Sequence, residues 1–330
     1  MTSSKGLRRH IIPIAIILAA SIVLGVVYGV LLSGRGALAF PQAPAVCTYA
    51  LRGAIVSTAQ PSLLTGSSFI TPELVEKVLN KAKSDGCRAL VLTVDSPGGE
   101  VVASHDIYRR LISFREETRK TVVIYMASVA ASGGYYISLG ADHIIANPGT
   151  MTGSVGAIGT LISFKRLLDD LGIDVVTVKS GEYKDVGSSL REITDMDIEF
   201  MREIVNSAFK QFESVVRESR GQKLSPQFER EIFNAKIFVG SEALKAGLVD
   251  EVGTFEDAVK RARELAGLPR DAPVRELRVA TTSIFQLPIS ISIGDGPLSP
   301  VGMKILYIEP SHISDYLFTT GVRAWRFQSP

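Results

Sequence analysis

Two glycine-rich stretches of the sequence contain the residue types that hydrolysis of a peptide bond requires. One is Ser96–Gly99, and the other, Ser128–Tyr135, contains a serine followed by two glycines. Each follows an apolar run that predicts a buried strand, Ala89–Asp95 in the first case and Thr121–Met126 in the second. Open α/β sheets place their sites at the carboxyl ends of strands, so we expect the two stretches to meet at one edge of a sheet.

Ser132, the serine of the second stretch, is a candidate nucleophile. It opens a predicted helix, where its hydroxyl is exposed, the next N–H is unhindered and the helix terminus favours negative charge. Peptide hydrolysis needs a nucleophile and N–H donors for the oxyanion of the tetrahedral intermediate. Gly133, with Gly98 or Gly99, is expected to supply these donors. Ordinary tight turns are the alternative explanation for either stretch taken alone.

Neither stretch matches two widespread glycine-rich motifs. The residues around Ser132 do not form the Gly-x-Ser-x-Gly elbow of α/β-hydrolases. No Lys-Ser/Thr pair follows the glycines, which excludes a phosphate-binding loop.

A nucleophilic serine needs a base, and the sequence offers a histidine or a lysine. The four histidines are His10, His105, His143 and His312. Only His105, on the helix after the first glycine pair, lies near the expected site, and most lone histidines have no catalytic partner. Lys184, within Ser180–Asp185, is the other candidate, because a buried lysine loses its charge near neutral pH. Most lysines are solvated, so the residues alone do not decide between the two.

Strand and helix patterns alternate along most of the chain, which is typical of an α/β fold with a largely parallel sheet. A further strand is predicted at Asp174–Val178, and helices are predicted at Pro72–Ser84 after the N-cap candidate Thr71, at Val101–Arg115 and at Asp195–Arg220. Apolar positions on the last helix form one stripe, which suits packing on its own sheet or on another copy of the chain. The stripe consists of Ile198, Met201, Val205, Phe209, Phe212 and Val216.

Composition narrows the function classes. The chain has 330 residues with a formal net charge of +2, and no run of Lys and Arg suggests a nucleic-acid surface. Its two cysteines, Cys47 and Cys87, are too few for a disulfide framework or a zinc site. They are either two unpaired, partly buried thiols or a single bridge, which an oxidising compartment would permit.

The N-terminal region reads as a membrane anchor. No charged residue occurs from Ile11 to Leu32, and at about 1.5 Å per residue this run spans the roughly 30 Å hydrocarbon core. Lys5, Arg8 and Arg9 precede it, which predicts a cytoplasmic N-terminus and the remainder outside. A signal peptide cleaved before Phe40 is the alternative, but signal-peptide cores are shorter, at about 7–15 residues.

The four motifs Ser96–Gly99, Ser128–Ser138, Ala141–Gly159 and Ser180–Ser188, in this order, resemble the short, single-domain form of the signal peptide peptidase A family. The resemblance covers about residues 49–266 and implies a ClpP/crotonase-like fold with repeated β-β-α units. It does not cover the anchor or residues 271–330. Together with the residue patterns, it predicts a cytoplasmic segment 1–10, a transmembrane anchor 11–32, a linker 33–46, a peptidase domain 47–270 and a C-terminal extension, 271–330, of unknown role.

The same resemblance assigns roles to individual residues. It implies that Ser132 is the nucleophile, that Lys184 is the general base and that Ser154 hydrogen-bonds the lysine. Gly133 and a glycine of the Ser96–Gly99 motif, Gly98 by preference over Gly99, would receive the oxyanion. No metal or cofactor is implied. The expected partners are signal peptides and similar short apolar peptides, membrane lipid through the N-terminal helix, and further copies of the chain in a homo-oligomer.

Two other functions fit parts of the sequence. A ClpP-class membrane protease that partners stomatin-like proteins would use the same Ser/Lys chemistry. Several C-terminal membrane spans or a partner-binding surface would distinguish it. No second run of about 18 apolar residues occurs here. A catalytically inactive peptide-binding scaffold with the same fold would also keep these motifs. The leading expectation is a serine peptidase in the cell membrane with its catalytic domain on the periplasmic or extracellular side.

Overall fold

The computed structural model of the chain describes Ser21 and residues 43–58, 69–279 and 305–307. The chain divides into two units, Met1–Ala43 and Pro44–Pro330, and all elements below belong to the second. The expected anchor, 11–32, lies outside the described residues except for Ser21. In the part of the chain that is described, no helix is both long and apolar enough to cross a bilayer.

A large mixed sheet forms the centre of the second unit, with the strand order β10-β8-β6-β4-β1-β12. Strand β7 also pairs with β6, and β11 pairs with β7. Its strands are β1 (Ala45–Arg52), β4 (Cys87–Ser96), β6 (Thr121–Ala131), β7 (His143–Ala146), β8 (Met151–Gly153), β10 (Ile237–Val239), β11 (Glu251–Val252) and β12 (Val274–Glu276). All of its pairs are parallel except β10 with β8. The predicted α/β class with a largely parallel sheet is therefore confirmed.

A smaller sheet has the order β3-β2-β5-β13-β9. Its strands are β2 (Ala54–Ile55), β3 (Phe69–Ile70), β5 (Gly99–Glu100), β9 (Ile158–Gly159) and β13 (Ile305–Tyr307). The part of the chain from residue 271 was expected to be an extension of unknown role. Of its described strands, β12 belongs to the large sheet through its pairing with β1, and β13 belongs to the smaller sheet through its pairings with β5 and β9.

Eight α-helices are present among the described residues outside the first unit. They are α1 (Pro72–Ser84), α2 (Val101–Thr118), α3 (Gly133–Ser138), α4 (Lys165–Asp170), α5 (Asp195–Arg220), α6 (Glu229–Ile232), α7 (Gly240–Ala246) and α8 (Phe255–Leu265). Strand β4 is buried on both faces, as parallel strands covered by helices are. Leu90 and Leu92 pack in the cluster that contains Ile107 of α2, whereas Ala89 and Val91 pack in the cluster that contains Val259 of α8.

Local sequence signals set the ends of two helices as predicted. Thr71 Oγ1 accepts a hydrogen bond from the N–H of Leu74 at 3.1 Å, and Pro72 occupies the first turn of α1. Helix α5 has the predicted bounds, and Thr194 and Asp197 form a capping box at its start.

The apolar stripe on α5 packs mainly within its own chain. Met201, Phe212 and Val216 are buried, while Ile198 at the beginning of the helix is 44% exposed. The ring centroid of Phe212 lies 4.8 Å from that of Tyr136 on α3, so α5 covers the helix that follows Ser132.

Cys47 and Cys87 form a disulfide, with their Cα atoms 5.6 Å apart. The bridge joins β1 to the start of the neighbouring strand β4, and both residues are buried. The alternative of two unpaired thiols is therefore wrong. Neighbouring strands bring the two Cα atoms within the normal range for a disulfide, which sequence spacing alone could not establish.

The strand predicted at Asp174–Val178 is not formed, and this prediction is wrong. The segment pairs with no other strand in the described part of the chain, and Val176 and Val178 are 85% and 94% exposed. A β-branched run reads as a strand from sequence, but it forms one only where a neighbour supplies the hydrogen bonds.

Candidate active site

Ser132 lies at the corner between β6 and α3 in a strained backbone conformation, with φ 53° and ψ −119°. Positive φ is uncommon for a residue with a side chain, costs roughly 1–3 kcal/mol and clusters at functional sites. The residue is 2% exposed, and its hydroxyl has no hydrogen-bond partner among the described residues. A strained corner serine with an unengaged hydroxyl is suited to act as a nucleophile.

The Ser96–Gly99 turn packs directly against Gly133. A Cβ atom on Gly133 would lie 2.6 Å from Ser104 Oγ, 3.1 Å from the nitrogen of Gly99 and 3.2 Å from the Cα of Gly98. No side chain fits in this space, so Gly133 must be glycine for the two stretches to meet. The structure therefore brings the two predicted glycine-rich stretches together at one edge of the large sheet.

Gly98 and Gly99 differ in the contacts of their backbone nitrogens. Gly98 has φ 107°, and its N–H donates to the hydroxyl of Ser96 at 3.1 Å. The nitrogen of Gly99 is the one that lies beside Gly133. A Cβ atom on Gly99 would be 1.9 Å from the carbonyl oxygen of Ile55, so this position also requires glycine.

Two buried serines support the corner: Ser96, whose own role its motif does not indicate, and Ser104, which belongs to no motif. Ser96 is fully buried, and a Cβ atom on Gly134 would lie 2.7 Å from its carbonyl oxygen. Ser104 is also buried and donates its hydroxyl to the carbonyl of Glu100 at 2.8 Å. Buried serines of this kind have no signature in spacing, since their importance lies in contacts between distant segments.

Ser154 lies next to Ser132 through the sheet. The N–H of Ser132 donates to the carbonyl of Gly153 at 2.9 Å, and Ser154 N–H donates to the carbonyl of Lys236 at 3.0 Å. Ser154 has φ 52° and Ala235, just before Lys236, has φ 58°. These are three of the four non-glycine residues with positive φ among the described residues, so backbone strain concentrates around Ser132.

Lys184 lies in a 3₁₀ turn, Glu182–Asp185, and is exposed. Its ammonium group forms no hydrogen bond or ion pair with any residue that the structure describes, so it is not bonded to Ser132 or Ser154. The burial expected for a neutral lysine is therefore not provided by the described part of a single chain.

His105 is engaged elsewhere. Its Nδ1 is 2.9 Å from the hydroxyl of Tyr136, and the ring contacts Tyr136 and Tyr108 with centroids 6.1 and 6.3 Å away. Burial raises the pKa of Tyr136 well above its usual range, so this phenol stays neutral. His143 Nε2 lies 3.2 Å from Glu251, while His10 and His312 lie outside the described residues. Neither described histidine is hydrogen-bonded to Ser132.

No group of three or more His, Cys, Asp or Glu side chains in the described part of the chain is arranged to hold a metal ion.

Comparison with known proteins identifies a family. Residues 115–269 match the model of peptidase family S49. A provisionally named protease of Synechocystis sp. is 39% identical over 201 residues, which are 61% of this chain and 71% of that protein. A provisionally named signal peptide peptidase SppA of Enterococcus faecium is 31% identical over 234 residues, 70% of this chain and 66% of that protein.

Among solved structures, a membrane-bound stomatin-specific protease superimposes with a TM-score of 0.45 and 19% sequence identity, covering 72% of this chain and 99% of the other. A TM-score below 0.5 is not evidence of a shared fold. The ClpP/crotonase-like arrangement with repeated β-β-α units therefore stays a prediction.

Proposed function

The chain belongs to peptidase family S49, and from this premise we propose that it is a membrane-anchored serine endopeptidase with a Ser132/Lys184 dyad. Ser132 attacks the peptide carbonyl and passes its proton to Lys184. The protonated lysine then gives this proton to the leaving amine. Water hydrolyses the resulting acyl-enzyme, again with Lys184 as base.

The observation that carries the proposal is the strained geometry of Ser132. A structural turn between strand and helix has no need of a non-glycine residue at φ 53°. The family places a serine at this corner, and its hydroxyl is not used in any hydrogen bond within the described chain. Strain, an available hydroxyl and an adjacent glycine pair together support nucleophilic catalysis rather than scaffolding.

For the oxyanion we propose Gly133 N–H with Gly99 N–H. The preference for Gly98 in the sequence analysis is less well supported, because its N–H already donates to Ser96 at 3.1 Å. The nitrogen of Gly99 would lie 3.1 Å from a Cβ atom on Gly133, so the two proposed donors belong to residues in close contact. Donors positioned before the reaction stabilise the tetrahedral intermediate without reorganisation.

Lys184 can act as a base only where it is shielded from water, and we propose that a second copy of the chain supplies this shielding in a homo-oligomer. The segment around it exposes many large apolar side chains, and contiguous exposed apolar surface marks interaction sites. These exposed side chains are Ile162, Phe164, Leu167, Leu171, Ile173, Val175, Val176, Val178, Tyr183, Leu190 and Ile193. A monomeric mass for the soluble domain in light scattering would contradict this assembly.

The proposed substrates are cleaved signal peptides and similar short apolar peptides at the outer face of the membrane. The buried Cys47–Cys87 disulfide supports an oxidising compartment, because such bridges are rare in the cytosol. An uncharged run at residues 11–32 supports a retained anchor with a cytoplasmic N-terminus. N-terminal sequencing of the mature protein tests this, since a start at Phe40 would indicate a cleaved signal peptide.

A panel of synthetic peptides tests the activity. The purified protein should cut apolar signal peptides rich in Leu, Ala or Phe faster than charged peptides of equal length, and Ser132→Ala should cut none. A serine-reactive phosphonate should label Ser132 in the parent protein. Absence of both cleavage and labelling would instead identify an inactive peptide-binding scaffold.

A further inference from the structure

The segment that carries Lys184 is fixed by charges rather than by a hydrophobic core. None of residues 173–194 is buried. It contacts α5 through the rings of Tyr183 and Phe200, whose centroids lie 5.7 Å apart, and through a charged cluster. The cluster consists of Arg191, Asp185 and Asp197, and we call it the Arg191 clamp. Asp185 is the residue directly after Lys184, and Asp197 lies in the first turn of α5.

All three nitrogens of the Arg191 guanidinium are used. Nε and Nη2 donate to the Asp185 carboxylate at 2.9 and 3.3 Å, and Nη1 and Nη2 donate to the Asp197 carboxylate at 2.5 and 2.7 Å. Nη2 also donates to the carbonyl of Asp185 at 2.9 Å, and Nη1 to that of Glu192 at 2.8 Å. Two paired contacts of this kind fix direction as well as distance, which a single ammonium group could not do.

Asp197 is the rigid end of the clamp. Its side chain is 2% exposed and also accepts hydrogen bonds from the N–H and hydroxyl of Thr194 at 2.8 and 2.7 Å. Helix α5 is in turn packed on the core through Met201 and Phe212. Arg191 therefore ties the turn that contains Lys184 to an element that cannot easily move.

Charge is distributed so that Lys184 has no acidic partner. Asp185 is held by Arg191 and by Lys179, whose Nζ lies 2.7 Å away, and these two cations hold the pKa of Asp185 below its usual value. Arg191 likewise holds the pKa of Asp197 well below its usual range. The remaining acidic side chains of residues 173–199 are all exposed: Asp174, Glu182, Glu192, Asp195 and Glu199.

We propose that Arg191 is a positioning residue for the general base: it fixes the Lys184 turn on α5 and keeps the Asp185 carboxylate from pairing with the Lys184 ammonium. This inference rests on the proposed Ser132/Lys184 mechanism. A free carboxylate beside Lys184 would favour the protonated amine, which cannot accept the proton of Ser132.

The test compares Arg191→Gln with Arg191→Lys and with a matched control, Arg217→Gln. Arg217 on α5 also bridges two carboxylates, those of Glu213 and Glu229, but does not contact the Lys184 turn. Two quantities are measured from pH 6 to 11: kcat and KM on an apolar peptide, and acetylation of Lys184 by acetic anhydride, followed by mass spectrometry. The second requires no activity.

Arg191→Gln should lower kcat by about 100-fold at neutral pH with little change in KM, since small misplacement of a catalytic group has that effect. The midpoints of the pH–rate profile and of Lys184 acetylation should both rise by about one pH unit, as expected when an unpaired carboxylate becomes available. The kcat and both midpoints of Arg191→Lys should lie between those of Arg191→Gln and the parent protein. Those of Arg217→Gln should equal the parent values. The double variant Arg191→Gln/Asp185→Asn lacks the free carboxylate, so its Lys184 acetylation midpoint should return to the parent value. Its kcat should stay low, because the turn is still not fixed on α5.

An unchanged acetylation midpoint in both Arg191 variants would overturn the proposal, whatever the rates are. Full activity of Lys184→Ala would reject the Ser132/Lys184 dyad. It would not change what the acetylation midpoints show about the effect of Arg191 on Lys184. Circular dichroism establishes whether each variant is folded. If Arg191→Gln does not fold, Arg191→Lys still tests the proposal, because it keeps the positive charge but loses the paired contacts.

Discussion

The backbone N–H of Ser132 donates to the carbonyl of Gly153 at 2.9 Å, so the residue after Gly153, Ser154, lies beside the candidate nucleophile. Both serines have positive φ angles, 53° and 52°. The pairing of β6 with β8 produces this arrangement, because Ala131 is aligned with Gly153 and each strand continues directly into a strained serine. The ends of β6 and β8, which are distant in sequence, are thus brought together by regular backbone hydrogen bonds.

Gly133→Ala should reduce kcat by about 10²- to 10³-fold, the usual effect of losing one oxyanion donor. The added methyl group would lie 2.6 Å from Ser104 Oγ and 3.1 Å from the nitrogen of Gly99, which pushes the two proposed donors apart. Steady-state kinetics on an apolar peptide measures the effect, and circular dichroism checks the fold.

Two variants control this experiment. Gly149→Ala should be neutral, because its methyl group would meet nothing nearer than Asn147 Oδ1 at 3.8 Å. Adding Ser104→Ala to Gly133→Ala removes the clash with the hydroxyl but not the crowding of Gly99, so activity should stay low. Recovery in the double variant would show that the oxyanion donors are not where we place them.

Loss of the Cys47–Cys87 bridge should lower the free energy of unfolding by about 2–5 kcal/mol, the usual contribution of a native disulfide. Urea unfolding with and without dithiothreitol measures this in the parent protein. The variant Cys47→Ala/Cys87→Ala should be less stable and insensitive to the reductant. Equal stability of the reduced and oxidised parent would mean that the bridge does not form in solution.

Asp250 should make the fold sensitive to acid. Burial raises its pKa, but Arg220, Lys223 and the N–H of Ile144 outweigh burial and lower it to about 2. Relative to the unfolded value of 3.8, this pairing contributes about 2 kcal/mol, in full above pH 4 and lost as the pH falls towards 2. Urea unfolding at pH 7, 4 and 3 should show this loss.

Asp250→Asn should remove that pH dependence and cost about 3–5 kcal/mol at pH 7, because it leaves Arg220, which is 4% exposed, without its countercharge. Glu199→Gln is the matched control. It breaks an exposed pair with Arg202 and should change stability by less than about 1 kcal/mol. Similar stability losses in the two variants would contradict a special role for the buried pair.

Local signals in the sequence were sufficient to predict the helices and turns around the site. Thr71 and Pro72 predicted the start of α1, and the amphipathic pattern of α5 predicted its bounds, Asp195–Arg220. The glycine pairs predicted that two distant turns would meet. Such features depend on a few neighbouring residues, so spacing and residue type are sufficient to find them.

Features that depend on contacts between distant segments could not be predicted in this way. The residues alone did not settle the Cys47–Cys87 pairing, and the Asp174–Val178 run found no partner strand in the described chain. The hydrogen bond from Gly98 to Ser96 distinguishes two adjacent glycines that are equivalent in sequence. The exposure of Lys184 likewise depends on what packs against its turn, which no motif encodes.

Peptidase rates of Lys184→Ala and His105→Ala on an apolar signal peptide, across pH 6–11, test the central claim most directly. Lys184→Ala and Lys184→Arg should abolish turnover in a folded protein, since neither side chain can accept a proton from Ser132 at these pH values. His105→Ala should keep most activity, because His105 is bound to Tyr136, and the parent rate should rise toward alkaline pH as the base deprotonates. Wild-type turnover by Lys184→Ala, or its loss in a folded His105→Ala, would contradict the Ser/Lys mechanism.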